Sequence, residues 1–196
     1  SHTTFIREPA LFFDYYKHNL VYADAQPNNA HKALAALEAV GKLKAVVTQN
    51  VDGLHQLAGS KVVDELHGSV LRNYCVSCGE TYDLDYIMDA AHCIDQNGVQ
   101  TGIPYCEKCG GVVRPDVVLY EEGLDERVVS HTIAAISAAD VLLVGGTSLV
   151  VYPAAGFLRY FRGSRLVLIN KSETSVDGQA DLIIHAPIGE VLSEFL

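Results

Sequence analysis

The sequence predicts an α/β protein with a doubly wound parallel sheet and a small inserted domain. Short apolar runs of three to five residues alternate with longer segments of helical periodicity, which is typical of parallel strands and their connecting helices. At 196 residues and 49% hydrophobic composition, the chain is long enough to bury one sizeable core. All five cysteines lie in the polar segment 73–112, where this alternation stops.

Two segments predict amphipathic helices. Residues 28–40 place alanine, leucine and valine side chains on one face, with Asn28 or Asn29 as the N-cap and Gly41 as the stop. Residues 125–139 repeat this pattern behind Asp125, which can cap the helix. Between the helices, short apolar runs predict buried parallel strands at residues 43–47, 141–144, 166–169 and 182–184.

Four of the cysteines form two pairs, and each pair is followed by glycine. This C-x-x-C spacing is typical of zinc sites, and four thiolates complete a tetrahedral coordination sphere with no position left for an activated water. We therefore expect one structural zinc ion, although unligated or disulfide-bonded cysteines and an iron–sulfur site are alternatives. Cys93 is left over as a lone thiol. The predicted ligands are Cys75, Cys78, Cys106 and Cys109.

These patterns predict two domains. Residues 73–112 are expected to form a zinc-ribbon-like insert, although the 27 residues between the cysteine pairs exceed the usual ribbon spacing. Residues 1–72 and 113–196 are expected to form the Rossmann-like domain.

The charge balance excludes some classes of partner. The formal net charge of -10 argues against sequence-independent binding of nucleic acid, which needs a surplus of Lys and Arg on one face. No apolar run approaches the roughly 20 residues of a membrane helix, and the first residues lack the pattern of a signal peptide. The sequence therefore predicts neither a nucleic-acid nor a membrane partner, and a cytoplasmic location.

Polar residues follow three of the predicted strands. The stretch TQNVDGLH (48–55) follows the first strand, Gly146-Thr147-Ser148 follows the second, and Asn170-Lys171 follows the third. In open α/β sheets, ligands bind at the carboxyl ends of the strands, so together these groups favour a nucleotide site over simple turns and helix caps. No G-x-G-x-x-G phosphate-binding motif occurs in the chain.

His67 is the candidate general base, because an imidazole with an ordinary pKa of about 6.5 can accept a proton at neutral pH. A structural role is the alternative for His67, and it applies equally to His31, His55 and His185. Spacing alone does not decide between these roles.

Eight motifs together resemble the sirtuins, the NAD-dependent protein deacylases, and their general character is bacterial. They occur in the family's order over essentially the whole chain. They are Pro27-Asn28-Asn29-Ala30-His31, TQNVDGLH, Ala58-Gly59-Ser60, Glu65-Leu66-His67-Gly68, the cysteine pairs, Arg114-Pro115-Asp116-Val117-Val118, and GTSLVVYP (146–153) with Leu168-Ile169-Asn170.

The resemblance implies a role for each candidate residue. His67 is then the general base, Gln49 and Asn50 hold the nicotinamide ribose, and Val51 and Asp52 meet the nicotinamide carboxamide. The remaining cofactor contacts are Gly146, Thr147, Ser148, Asn170, Lys171 and Ile188. The contacts to an acyl-lysine peptide, added as a strand, are Val118, Tyr120, Glu121, Glu122, Gly123 and Val151.

The reaction implied by the resemblance is transfer of an acyl group from lysine to the ADP-ribose part of NAD. The acyl oxygen attacks the nicotinamide ribose and nicotinamide leaves, so the products are free lysine, nicotinamide and O-acyl-ADP-ribose. Preorganised carboxamides and a carboxylate suit the positive charge that develops on the ribose. An acidic protein also suits lysine-rich substrates.

The sequence departs from the sirtuin pattern in two places. Where the family usually continues Phe-Gly-Glu after Val118, this chain has Tyr120-Glu121-Glu122-Gly123, which predicts a more acidic peptide edge. The family's opening Gly-Ala-Gly phosphate loop and Gly-Ile-Pro-Asp-Phe-Arg stretch have no counterpart before Ser1. We expect the natural molecule to carry that segment, which intact mass measurement tests, and we expect weak NAD binding without it.

The sequence is also compatible with three other functions. A mono-ADP-ribosyltransferase would use the same fold and cofactor. An inactive module that binds acyl-peptide or ADP-ribose would fit the missing phosphate loop. A zinc-ribbon binding protein without catalysis is disfavoured, because the cysteine segment is only an insert.

Overall fold

The computed structural model describes residues 1–150 and 154–196, so the predicted peptide contact Val151 lies outside the described residues. Helices and strands alternate along the chain, which confirms the predicted α/β class. The α-helices are α1 (His2–Arg7), α2 (Pro9–Asn19), α3 (Asn29–Ala39), α4 (Leu54–Ala58), α5 (Leu84–Met88), α6 (Glu126–Ala138) and α7 (Ile188–Leu192). The strands are β1 (Val46–Thr48), β2 (Val63–Glu65), β3 (Gly68–Cys75), β4 (Thr81–Tyr82), β5 (Val113–Val117), β6 (Val141–Gly145), β7 (Arg165–Ile169) and β8 (Leu182–Ile184).

The chain forms two compact units. The first unit contains Ser1–Ala25, Asn50–Gly53 and His67–Leu124, and the second contains Gln26–Gln49, Leu54–Leu66 and Asp125–Leu196. These limits differ from the predicted domain boundaries, because β3 runs through position 72 and pairs with β5 across the cysteine segment. The boundaries at 72/73 and 112/113 remain a prediction.

The first unit is built on an antiparallel sheet with the strand order β4-β3-β5. Aromatic side chains of α1 and α2 pack into its core, where the rings of Phe12 and Phe13 meet edge to face with centroids 5.2 Å apart. Val70 of β3 and Val113 of β5 belong to the same cluster. This core supports β3, the strand that begins immediately after His67 and ends at the first cysteine of the zinc motif.

The second unit contains the parallel strands that the sequence predicts. Strands β1 and β2 pair with each other, and β6, β7 and β8 form a second sheet in that order. Ala30 and Ala33 of α3 pack with Ile169 of β7 and Leu192 of α7, so small side chains let the helix approach the strand closely. This packing covers the central strand of the sheet.

The prediction that every parallel strand is buried is wrong for β6 and β8. Val141 in β6 is 55% exposed and Leu182 in β8 is 50% exposed, whereas Leu168 in β7 is fully buried. In the part of the chain that the structure describes, β6 and β8 pair only with β7 and are therefore edge strands. The first predicted strand is also shifted, because β1 begins at Val46 and not at residue 43.

Both predicted helices form, with their predicted caps. The Asn28 side chain accepts hydrogen bonds from the amides of Ala30 and His31 at the start of α3, and Asp125 accepts one from Arg127 at the start of α6. Each cap satisfies amides that have no partner within the helix. Of the helices in residues 1–150 and 154–196, none has the length and apolar character needed to cross a membrane.

Candidate functional site

At the carboxyl end of β1, the structure brings Gln49 close to Thr147 in the second unit. The Thr147 hydroxyl lies 3.5 Å from Gln49 Oε1, at the outer limit of a hydrogen bond. Thr147 Oγ1 also accepts a hydrogen bond from the Leu149 amide, while Ser148 is exposed. This end of β1 therefore carries a carboxamide and two hydroxyl groups, which are the polar groups that bind ribose and phosphate in other proteins.

The glycine turn after β6 is packed against the start of α7. The Gly146 amide donates to the Ile169 carbonyl at 3.1 Å, and Gly146 has a φ of +62°, which glycine adopts without strain. A Cβ on Gly145 would overlap the Ile188 side chain, so these two predicted cofactor segments are in contact. The turn leaves exposed backbone at Gly146, which suits close approach of a phosphate or ribose.

Asn170 follows β7, and its side chain makes a local contact. Its Nδ2 donates to the Ser172 carbonyl at 2.9 Å, while its backbone amide donates to Ile184 of β8. The side-chain oxygen Oδ1 of Asn170 could accept a hydrogen bond from a ribose hydroxyl. The next residue, Lys171, is exposed. The turn-capping role and the ligand role of Asn170 are therefore compatible.

In the first unit, residues 50–53 lie beside the start of β3. The Val70 amide donates to the Val51 carbonyl at 2.9 Å, and the Ser69 hydroxyl lies 3.4 Å from the same oxygen. Asn50 is exposed and Asp52 is half-buried. These contacts fix the backbone of the TQNVDGLH stretch at Val51.

His67 lies in the tight turn between β2 and β3 and is half-buried. Its carbonyl accepts a hydrogen bond from the Val118 amide at 3.0 Å, so the structure brings the predicted base and the predicted peptide edge together. Gly68 has a φ of +75°, and a Cβ there would overlap the Asp116 carbonyl. Only glycine therefore fits after His67.

The loop 118–123 after β5 is held by a buried ion pair. Both Nη atoms of Arg114 donate to the Glu122 carboxylate, at 2.7 and 3.0 Å, and only 9% of the Arg114 side chain is exposed. Glu122 also accepts from the Leu119 amide at 2.8 Å and contacts His2 Nδ1 at 2.8 Å. In contrast, Tyr120 is 81% exposed.

This ion pair predicts a specific loss of stability in acid. Partial burial raises the pKa of Glu122, but hydrogen bonds from Arg114, the Leu119 amide and His2 outweigh it and lower the pKa from 4.5 to about 2. Because the folded pKa is depressed, the stabilisation is complete above pH 4.5 and is lost as the pH falls towards 2.

Urea unfolding at pH 7 and pH 3 tests this prediction by comparing the wild type with Glu122→Gln. We expect the free energy of unfolding of the wild type to fall more between these pH values, because the variant has no carboxylate to titrate. Equal losses in the two proteins would contradict the assignment.

The four predicted zinc ligands form one cluster. Their Sγ atoms all lie within 4.8 Å of one another, with Cys75 and Cys109 3.4 Å apart and Cys78 and Cys106 3.7 Å apart. A tetrahedral zinc with Zn–S bonds of about 2.3 Å places its sulfurs about 3.8 Å apart. The four cysteines are therefore positioned to bind one zinc ion.

Hydrogen bonds lower the pKa of two of the four thiols, Cys75 and Cys106, and so favour the thiolate form that zinc requires. Burial raises the pKa of the Cys106 thiol, but the Tyr82 hydroxyl, which donates to Cys106 Sγ at 3.1 Å, and two backbone amides lower it to about 6. The Ser77 amide donates to Cys75 Sγ at 3.4 Å. Tyr82 is thus a supporting residue that orients the ligand set.

Comparison with known proteins identifies the family. The sequence profile of the Sir2 family matches residues 1–153. The chain is 57% identical over 192 residues to an NAD-dependent protein deacetylase of Clostridium acetobutylicum. The alignment covers 98% of this chain and 75% of that protein. The chain belongs to the Sir2 family. An NAD-dependent protein deacetylase of Clostridium perfringens is 58% identical over 197 residues, covering 100% of this chain and 77% of that protein.

Solved Sir2 structures share the fold of this Sir2 chain. A structure of Sir2 bound to acetylated peptide has a TM-score of 0.89 at 35% identity and covers 99% of this chain and 80% of that one. A structure of Sir2 with a p53 peptide and NAD+ has a TM-score of 0.87 at 35% identity. The match covers 99% of this chain and 79% of that one. The expected sirtuin resemblance is therefore confirmed.

Two side-chain contacts in this Sir2 chain were missed by the sequence analysis. The Arg114–Glu122 ion pair was missed because Arg114 belongs to a motif in which no role was assigned to it. The buried carboxylate of Asp64 accepts hydrogen bonds from His131 at 2.7 Å and Thr132 at 3.0 Å, which ties β2 to α6. The acidic Asp64 at the centre of the short strand Val63–Glu65 was the available signal for this second contact.

Proposed function

We propose that the protein is an NAD-dependent protein lysine deacetylase. The main support for this proposal is the sequence identity of 57–58% to two proteins of that name over at least 98% of the chain. One water is consumed, and the products are then free lysine, nicotinamide and O-acetyl-ADP-ribose. NAD supplies the ribose that accepts the acyl group.

His67 is the proposed general base, which takes a proton from a ribose hydroxyl so that the oxygen can attack the acyl carbon. Its place in a tight turn before a well-supported strand favours this role, because a rigid backbone limits where the imidazole can move. The hydrogen bond from Val118 to the His67 carbonyl fixes that turn further. Asn50 and Asp52 are proposed to stabilise the positive charge that develops on the ribose.

The residues of the second unit suit NAD in their chemistry. Gln49, Thr147, Ser148 and Asn170 offer amide and hydroxyl groups, which are the donors and acceptors that ribose hydroxyls and phosphates need. Gly146 leaves its backbone open to a ligand, and Ile188 beside it offers an apolar surface for adenine. Lys171 is proposed as an exposed cation near the cofactor.

The substrate is proposed to be an acyl-lysine in a protein or peptide. Val118, Tyr120 and Gly123 are the proposed peptide contacts, and Val151 keeps that role as a sequence-based proposal. An extended peptide that adds to the edge of a strand gains main-chain hydrogen bonds and needs little sequence specificity. The net charge of -10 favours peptides rich in lysine.

Nicotinamide release from NAD, measured with and without an acetylated peptide, tests the proposed function. We expect release only when the peptide is present, because the acyl oxygen is the group that displaces nicotinamide. Transfer of the ADP-ribose label to protein would instead support a mono-ADP-ribosyltransferase. The absence of release under both conditions would support a binding module.

We also propose a cytoplasmic location. A site of four thiolates requires reduced cysteines, and reducing conditions are those of the cytosol. Fractionation of cells followed by immunodetection tests this proposal, and recovery of the protein outside the cytosolic fraction would contradict it.

A further inference from the structure

The loop after β5 contains a backbone conformation that its sequence does not favour. Glu121 has a φ of +84°, and among the residues that the structure describes only Glu121 and Leu149 have a positive φ without being glycine. This region of the backbone map disfavours residues with a Cβ, so it persists only where neighbouring contacts hold it. Glu121 also belongs to the segment that departs from the usual Phe-Gly-Glu of the family.

Contacts with the first turn of α1 hold Glu121 in this conformation. Its Oε2 accepts hydrogen bonds from the Thr3 amide at 2.9 Å and from the Thr3 hydroxyl at 2.7 Å. The His2 amide donates to the Tyr120 carbonyl at 3.0 Å. Three hydrogen bonds therefore join residues 120 and 121 to the start of α1.

Glu122 holds the other side of the same loop. Its carboxylate is bound by the two Nη atoms of Arg114 and by the Leu119 amide. Arg114 Nη2 additionally donates to the Val117 carbonyl at 2.9 Å. Both acidic side chains of the loop are therefore used within the protein, although the sequence predicts that they make the peptide edge more acidic.

We propose that Glu121 and Glu122 are positioning residues that hold loop 118–123 in the conformation that pairs with an acyl-lysine peptide. They act on peptide affinity through the backbone and do not select basic peptides by charge. This inference rests on the proposed function, because it assigns a task to the same substrate edge. A loop already held in its binding conformation loses less conformational entropy when the peptide binds.

A series of substitutions at Glu121 tests the proposal by the KM for an acetylated peptide. Glu121→Val removes the hydrogen bonds to Thr3 and resists a positive φ, so we expect the KM of this variant to rise about tenfold. Glu121→Gln keeps one acceptor oxygen and should raise the KM less. Glu121→Gly adopts a positive φ freely and should give the smallest increase of the three.

Two measurements separate positioning from general damage. The KM for NAD and kcat should change much less than the KM for peptide in all three variants. Glu194→Val is the matched control, because Glu194 is an exposed glutamate without a positive φ, and its kinetics should equal those of the wild type. If thermal unfolding shows that Glu121→Val does not fold, Glu121→Ala takes its place.

A pair of peptides tests the statement about charge. One acetylated peptide carries lysines beside the acetyl-lysine, and the other carries serines at the same positions. We expect the ratio of their KM values to be the same in the wild type and in Glu121→Gln. A ratio that moves towards one in the variant would overturn the proposal, because it would assign Glu121 to charge recognition.

The outcomes distinguish this inference from the proposed function. If the wild type deacetylates no peptide in the presence of NAD, the proposed function fails, and the positioning role fails with it. If the wild type is active but Glu121→Gly raises the KM for peptide as much as Glu121→Val does, only the positioning role fails.

Discussion

Replacing His67 with alanine is expected to reduce NAD-dependent deacetylation by about 10²- to 10⁴-fold, the usual contribution of a general base. The substitution removes the group proposed to accept the ribose proton. The His67 carbonyl still receives the Val118 amide, because alanine keeps the backbone contact. The expected loss is therefore in kcat, and the temperature of unfolding should change little.

The matched control for this experiment is His18→Ala. His18 lies on α2 in the same unit, its side chain is 74% exposed, and its Nδ1 contacts Asp14, one turn away on the same helix. We expect this control to keep wild-type kinetics. A His67→Ala variant that retains more than about a tenth of wild-type kcat would contradict the role of general base.

Loss of one zinc ligand is expected to have the second largest effect. Cys106→Ser should abolish tight zinc binding and unfold the segment around the cysteines, since structural zinc sites in small peptides contribute about 10–16 kcal/mol of apparent binding free energy. Cys106 is buried beside Tyr82, so Cys106→Ser also places a hydroxyl group in the apolar core of the first unit. We expect thermal unfolding at a much lower temperature and a zinc content well below one ion per chain.

The control for the zinc experiment is Cys93→Ala. Cys93 is also buried, but it is outside the cluster formed by the other four cysteines. This variant should keep its full zinc content and lose only the stability expected for a small buried side chain, on the order of 1 kcal/mol. A wild-type protein that binds no zinc and unfolds at the same temperature after chelation would contradict the structural role.

The parts of the fold that could be predicted from sequence depend on local signals. Helices α3 and α6 were predicted because their caps, Asn28 and Asp125, lie next to an apolar repeat of helical period. The zinc cluster was predicted because two C-x-x-C pairs specify four thiols and a tetrahedral geometry. In both cases, residues near each other in sequence carry the information.

The parts that could not be predicted depend on contacts between distant residues. The hydrogen bonds from Thr3 to Glu121 join positions 118 apart, and the contact between Asp64 and His131 joins positions 67 apart. Likewise, an apolar run such as residues 182–184 indicates a strand but not whether it lies at the edge of the sheet. Exposure of Leu182 is decided by the neighbouring strands and not by its own sequence.

Identification of the products by mass spectrometry tests the central claim most directly. The protein is incubated with NAD and an acetylated lysine peptide, and the peptide, nicotinamide and nucleotide products are quantified together. We expect one nicotinamide and one O-acetyl-ADP-ribose for each peptide that loses its acetyl group, and no reaction without NAD. Free acetate as the direct product, or deacetylation in the absence of NAD, would contradict it.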